Sequence, residues 1–303
     1  MMSSKTLLYI SGPTGIGKTK LSISLAKSFD TEIISCDSRQ FYKEMKIGTA
    51  VPNQNELLEV KHNFIQHKSI HDTYTVGEFE KDVLRKLKEL YKSKNIIIMV
   101  GGSGMYADAV MFGLDKFPKV PNKVRSQINL FYQTHGLKSL QQLLLEKDPK
   151  YYTRVDINNP MRLIRALEVC ISTEKPYSSF LGKKPINRSF ISKTIILKCS
   201  RTMLYDRINN RVDSMVESGL ELEAKKLMKH KDLPSLKTVG YKELFSYFEG
   251  KINLEKAISE IKKNTRRYAK RQITWLKRYD NTISVESSTK YEEIIRLLKL
   301  NSL

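Results

Sequence analysis

The stretch Gly12-Pro13-Thr14-Gly15-Ile16-Gly17-Lys18-Thr19 has the spacing GxxxxGK[ST]. Glycines at these positions let successive backbone N–H groups turn inward around phosphate oxygens. A helix that starts here directs the positive end of its dipole at the same point, and Lys18 adds a full charge. The Thr19 hydroxyl can ligate Mg²⁺. The context on either side is the one the motif requires. Leu7–Ser11 is an apolar run stopped by Gly12-Pro13, which predicts a strand. From Lys18 to Phe29, Leu21, Leu25 and Phe29 recur at helical intervals with Ile23 and Ala26 beside them.

Working outward, Glu32–Cys36 reads as a second short strand. Thr75 and Glu78 form a capping-box pattern ahead of Phe79, Val83, Leu87 and Leu90, a helix. Ile96–Val100 is a continuous apolar run of the kind buried on both faces of a sheet, and it ends at Gly101-Gly102. Strand and helix alternate, which predicts an α/β fold: a P-loop-type parallel sheet flanked by helices. From about Asp115 the pattern changes. Pro118, Pro121 and Pro149 punctuate helices, with no strand until Ser192–Cys199, and Asn281–Val285 could add an edge strand. Residues 1–115 and 193–303 are therefore expected to form a P-loop catalytic core with basic C-terminal helices, and 116–192 an all-helical insertion domain.

The 303 residues carry 53 Lys and Arg against 32 Asp and Glu, a net charge of +21. Forty per cent apolar residues suffice for a real core, and a mean hydropathy of −0.40 is ordinary for a soluble chain. The charge is uneven: residues 1–110 contribute +3 (15 basic, 12 acidic) and the remainder +18 (38 basic, 20 acidic). Such a division suggests chemistry in one place and a grip on a polyanion in the other. Cys36, Cys170 and Cys199 are far apart with no CxxC pair, which excludes a disulfide framework and a zinc knuckle. The first apolar run is too short for a signal peptide, and no segment is long enough to cross a bilayer. A cytoplasmic monomer with no membrane partner is expected.

A signalling NTPase places an Asp at the end of a second core strand to organise Mg²⁺ and water. Here Ile96–Val100 runs into Gly101 and the later strand into Ser200, so that carboxylate is absent. The one acid at the carboxyl end of a core strand is Asp37, which should face the phosphate loop and suits a proton acceptor. Ser103, in the turn Gly101-Gly102-Ser103-Gly104, can reach the mouth of the same crevice. Arg162 and Arg165 lie on the outer face of a helix whose buried face is Leu163, Ile164 and Leu167. Arg207 and Arg211 are four apart on another helix, where an arginine could reach over phosphates. Lys262–Arg278 holds eight basic residues and no acid in 17, a density that points to an anionic polymer. These features leave open a small-molecule kinase, an NTP-switched RNA-binding protein and a transferase acting on RNA.

The ordered set of motifs resembles one family, the tRNA dimethylallyltransferases, also called tRNA isopentenyltransferases. It comprises GPTGIGKT (12–19), DSRQFYKEMKIGTAVP (37–52), VGGSGMY (100–106), MRLIRALEV (161–169), GLELEAKKL (219–227), VGYKELFSYFEG (239–250) and NTRRYAKRQITWLKR (264–278). The resemblance implies transfer of a dimethylallyl group from dimethylallyl diphosphate to N6 of an adenosine. In the family that adenosine lies 3′ of the anticodon in tRNAs reading codons that begin with U, so the partner would be a tRNA anticodon stem-loop. It further implies Asp37 as general base, with Thr19 and Arg211 also catalytic. Gly12 to Thr19 (Gly12, Pro13, Thr14, Gly15, Ile16, Gly17, Lys18, Thr19) would hold the diphosphate, with Thr19 on Mg²⁺. Asp37, Ser38, Arg39, Gln40, Ser103, Arg125, Met161, Arg162, Leu163, Ile164 and Arg165 would touch the tRNA, as would Arg266, Arg267 and Lys270 by their charge. Ser103 stands where most relatives have Thr and keeps the hydroxyl; Met161 stands where they have Gln. With no Cys/His cluster near its end, the chain resembles the shorter bacterial form.

Overall fold

A computed structural model describes residues 5–182 and 187–300. The chain divides into two compact units, one formed by the residues up to Phe112 together with Arg188 onward, the other by Gly113–Asn187. The first unit begins with Thr6–Ser11 (β1), Lys18–Ser28 (α1), Ile33–Ser35 (β2), Gln54–Glu59 (α2), His62–Asn63 (β3), Val76–Leu90 (α3), Ile96–Val100 (β4) and Gly104–Phe112 (α4). The second unit holds Asn122–Lys147 (α5), Pro149–Tyr152 (α6) and Pro160–Thr173 (α7). The chain then returns to the first unit through Ile191–Lys198 (β5), Arg201–Glu217 (α8), Leu220–Leu227 (α9), Tyr241–Phe248 (α10), Leu254–Leu276 (α11), Thr282–Glu286 (β6) and Tyr291–Leu300 (α12).

The six strands make one sheet in the order β3-β2-β4-β1-β5-β6, and every pairing is parallel. Alternation along the strands feeds two apolar layers. Leu8 and Ile10 of β1 join Ile98, Ile195 and the α1 residues Leu21 and Leu25 on one face. Leu7 and Tyr9 join Ile97, Met99 and the α3 residues Phe79, Val83 and Leu87 on the other. Both faces are thus dry, as a parallel sheet requires. A third apolar cluster, built from α8 to α11, includes Val212, Leu220, Tyr241, Leu244 and Ile261.

The predicted alternation of strands and helices is present, including the edge strand near the C-terminus, which starts at Thr282. Four elements were not anticipated, α4 among them, because its sequence reads only as the glycine turn after β4. β3 is two residues long, too short to show a period, and α2 has no buried residue to mark a face. α12 buries Ile294 and Leu298 against the layer that holds α1.

In the second unit α5 runs its full length except at Gly136, whose backbone (φ 74°, ψ −173°) breaks the helix. Leu140, Leu144, Leu163, Ile164, Ala166 and Leu167 form its core. Buried Asp148 caps α6 by accepting from the Tyr151 N–H at 2.9 Å and also accepts from the Ser178 hydroxyl at 2.8 Å. Among the described residues of this unit there is no strand; residues 183–186 of the expected insertion lie outside the described residues.

The capping box ahead of α3 forms as its sequence suggests. Thr75 Oγ1 accepts from the Glu78 N–H at 3.2 Å, and Glu78 Oε2 accepts from the Thr75 N–H at 2.6 Å. Thr75→Ala should lower stability by about 1 kcal/mol. Urea unfolding should show a lower midpoint with an unchanged slope.

Candidate active site

Strands β2, β4 and β1 are neighbours, so their carboxyl ends deliver three short turns to one place. After β1 comes the phosphate loop, which ends at Gly17 with φ 102°, a left-handed conformation that a side chain would strain. Gly17 caps α1 without a side-chain hydrogen bond, and Gly15, Gly17, Lys18 and Thr19 line a cavity of about 380 Å³.

After β2 comes Asp37, whose Oδ1 accepts from the Arg39 N–H at 3.1 Å. This local turn leaves the carboxylate lining the same cavity as the phosphate loop. After β4 comes the glycine turn. The Ser103 hydroxyl in it accepts from the Ser38 N–H at 3.1 Å and shares a hydrogen bond with the Ser38 hydroxyl at 3.0 Å. Asp37, Ser38 and Ser103 are therefore one connected edge. Gln40 faces inward too: its Oε1 accepts from the Ser35 hydroxyl at 3.3 Å, while its Nε2 donates to the Ala50 carbonyl at 3.0 Å.

Two half-buried cations oppose Asp37. Lys18 donates to the Gly12 and Pro13 carbonyls, both at 2.9 Å. Burial lowers its pKa to about 8; Asp37 opposes that shift and Arg211 adds to it. Arg211, on α8, lines the same cavity and is also held below its ordinary value by burial, with Asp37 pulling the other way. Arg207, one turn earlier, is committed to the protein: it donates to the Ile16 carbonyl at 3.3 Å and the Ser287 hydroxyl at 2.9 Å. A second cavity of about 480 Å³ shares Thr14, Asp37, Ala50 and Arg211 with the first, so the two meet at the acid and the arginine. Val212, Met215, Leu220 and Ile261 make part of its wall apolar, while Arg39, Lys237, Lys242 and Arg271 make part of it basic.

The basic helix α11 packs against these turns. Its buried positions are Ala257, Ile261, Ala269, Gln272 and Leu276, with Tyr268 and Trp275 half-buried beside them. Gln272 Oε1 accepts from the Thr14 N–H at 2.9 Å, and Gln272 Nε2 donates to the Gly102 carbonyl at 3.0 Å. In the sequence Gln272 is marked only as a long amide among the apolar and aromatic residues of the basic segment. Arg267, Lys270 and Arg271 are exposed. Arg266 is not a free cation as expected: it donates to Asn209 Oδ1 at 2.7 Å and lies over the Tyr205 ring.

In the second unit the structure gives four of the named residues packing or pairing partners. Leu163 and Ile164 are core residues, 0% and 4% exposed, so their side chains are withheld from any polymer. Arg125 and Arg165 are both engaged by Glu168, a buried acid that the sequence did not single out. Arg125 Nε approaches it at 2.9 Å and Arg165 Nη1 at 3.1 Å. Arg165 also lies over the Phe117 ring. Met161 and Arg162, by contrast, are exposed.

For a metal, the site offers the Thr19 hydroxyl with Asp37 lining the same cavity. Among the described residues no group of three or more His, Cys, Asp and Glu could hold one. These donors suit Mg²⁺, which keeps most of its shell as water and phosphate oxygens. No helix among the described residues is long and apolar enough to cross a membrane.

Residues 40–279 match the family model described as IPP transferase. A tRNA dimethylallyltransferase of Flavobacterium psychrophilum is 53% identical over 298 residues, spanning 96% of this chain and 97% of its own. One from Christiangramia forsetii is 57% identical over 275 residues, 91% of each chain. Among solved structures, the tRNA isopentenylpyrophosphate transferase of Bacillus halodurans superimposes with a TM-score of 0.70 at 35% identity, covering 98% of this chain and 95% of that one. A eukaryotic dimethylallyltransferase acting on tRNA gives a TM-score of 0.81 at 26% identity, covering 99% of this chain and 78% of that one.

The lowered pKa of Lys18 makes anion binding proton-linked. An anion beside the ammonium favours its charged form, so near pH 8 binding of inorganic diphosphate should bring about half a proton onto Lys18. Calorimetry in buffers of unlike ionisation enthalpy should show that uptake in the native protein and lack it in Lys18→Met. Equal buffer dependence in the two would refute it.

Proposed function

This chain belongs to the IPP transferase family, and on that premise we propose how it acts on tRNA. It is a tRNA dimethylallyltransferase, a prenyl transferase that moves a dimethylallyl group to N6 of the adenosine 3′-adjacent to the anticodon. The donor in this reading is dimethylallyl diphosphate. The products are N6-isopentenyladenosine and diphosphate, on tRNAs reading codons that begin with U. The observation that carries the reading is Asp37, the acid at the meeting point of the two cavities, opposite Lys18 and Arg211.

The chemistry follows from that placement. An adenine in a stacked loop cannot present its amino group, so the base is turned out into the protein, at a cost of a few kcal/mol. Exposed cations on α11 and in the second unit offset that cost through the RNA backbone. The adenine amine is a poor nucleophile. Asp37 accepts a hydrogen bond from N6 and takes its proton as the new carbon–nitrogen bond forms. The bond from the same carbon to the diphosphate oxygen breaks, and the electron pair leaves with the diphosphate. The loop N–H groups, Lys18 and Arg211 stabilise that departing charge, an electrostatic task in a partly dry site. Thr19 would hold a Mg²⁺ carried in with the diphosphate, whose contribution is to neutralise phosphate charge. Ser38, Arg39, Gln40 and Ser103 border the acceptor side. Arg125 of α5 and Met161, Arg162 and Arg165 of α7 meet the tRNA; Leu163 and Ile164 support α7 from below.

Incubation with labelled dimethylallyl diphosphate or labelled ATP, each with and without tRNA, tests the reading. Label should reach RNA only from the prenyl donor, and transfer from ATP alone would overturn it. Asp37→Ala should lower kcat by about 10²–10⁴ with little change in tRNA affinity; full activity would remove Asp37 from the mechanism. Neutralising Arg267, Lys270 and Arg271 together should flatten the salt dependence of tRNA binding by roughly 0.7 per lost phosphate contact. An unchanged slope would assign these three residues to some other task.

A further inference from the structure

The leaving-group cradle and the acceptor base arise from different strands, β1 and β2, with β4 lying between them. A displacement reaction requires them at a fixed separation, since nucleophile, carbon and leaving oxygen react in line and a shift of about 1 Å can cost 10²-fold. One side chain joins the two sides. Gln272 accepts from the Thr14 N–H of the phosphate loop and donates to the Gly102 carbonyl of the glycine turn. The next residue after Gly102 is Ser103, whose hydroxyl holds Ser38, the neighbour of Asp37.

The amide suits this place for a specific reason. One end of the link must accept and the other must donate, and a carboxamide does both in a single orientation. Gln272 is 7% exposed, so both of its bonds are shielded from water. The turn has room for the amide only because residue 102 is glycine: a Cβ there would lie 2.1 Å from Gln272 Nε2. Thr14 and Gln272 also line the cavity that holds Lys18 and Arg211.

We propose that Gln272 is the positioning residue that sets the phosphate loop against the Gly102–Ser103–Ser38–Asp37 edge, and so sets leaving group against base. This inference rests on the transferase reading above. In this role Gln272 acts through Thr14 and Ser103.

The test is a single-turnover measurement of prenyl transfer at saturating tRNA and donor, with tRNA affinity and thermal melting measured alongside. Gln272→Met keeps the length and much of the buried volume but neither hydrogen bond. Its transfer rate should fall about 10- to 100-fold, with tRNA affinity within about threefold, the scale of ordinary context effects. Gly102→Ala should produce a similar loss by displacing the amide, and the double variant should lose little more than either single one, because both break one link. A Met variant that transfers at the native rate would overturn the proposal, as would a loss confined to tRNA binding or a fully additive double variant. Should the Met variant fail to fold, Gln272→Glu decides. It retains an acceptor for Thr14, sets a carboxylate against the Gly102 carbonyl, and should also slow transfer; native speed would again overturn the idea. Native enzyme that moves no label to tRNA would instead refute the transferase reading itself.

Discussion

An imbalance of charge governs the site: two half-buried cations, Lys18 and Arg211, line a cavity whose one lining acid is Asp37, at the ends of a parallel sheet. Keeping cations partly out of water is costly, and the cost appears in the lowered pKa of both groups. The surrounding structure limits that cost with dipoles instead of acids. Lys18 donates to two loop carbonyls, and the neighbouring Arg207 uses the Ile16 carbonyl and a serine hydroxyl. A second acid would quench the positive field that a diphosphate needs. Its absence at the ends of β4 and β5 thus fits a site that stabilises a departing anion.

The same economy explains the glycine turn. β2 and β4 are adjacent, and the chain leaving β4 must pass close to both Asp37 and α11. Small residues there allow one amide, Gln272, to reach two loops. The basic helix consequently has two unlike faces. Its inner face, with Tyr268, Gln272 and Trp275, supports the turns, while its outer face carries Arg267, Lys270 and Arg271. A helix anchored this firmly can hold a row of exposed cations without losing its own register.

In the second unit the arginines are also anchored. Glu168 is buried and engages Arg125 and Arg165 together. Partly neutralised in this way, the two guanidiniums lose conformational freedom within the fold itself. The net charge of +21 therefore overstates the number of free cations. Arg266, held by Asn209 and stacked on Tyr205, is another that the total counts and the surface does not offer.

Much was legible from the chain alone because it depends on local pattern. The spacing of residues 12–19 determines a phosphate loop, since the conformations and charges that cradle phosphate belong to consecutive residues. The alternation of apolar runs with helical periods determines the parallel sheet, and Thr75 with Glu78 determines where α3 begins. Asp37 could be found as the one acid at the carboxyl end of a predicted core strand. Contacts between residues far apart in sequence could not be read that way. The buried face of α7, Leu163, Ile164 and Leu167, follows from helical spacing, yet only packing against α5 shows that Arg125 and Arg165 meet on Glu168. Glu168 and Gln272 look unremarkable in sequence, because a carboxylate or an amide gains its role from partners 43 or 258 positions away. Local spacing sets which chemistry the chain can perform; the tertiary structure decides which side chains are free to perform it, because burial and pairing depend on the whole fold.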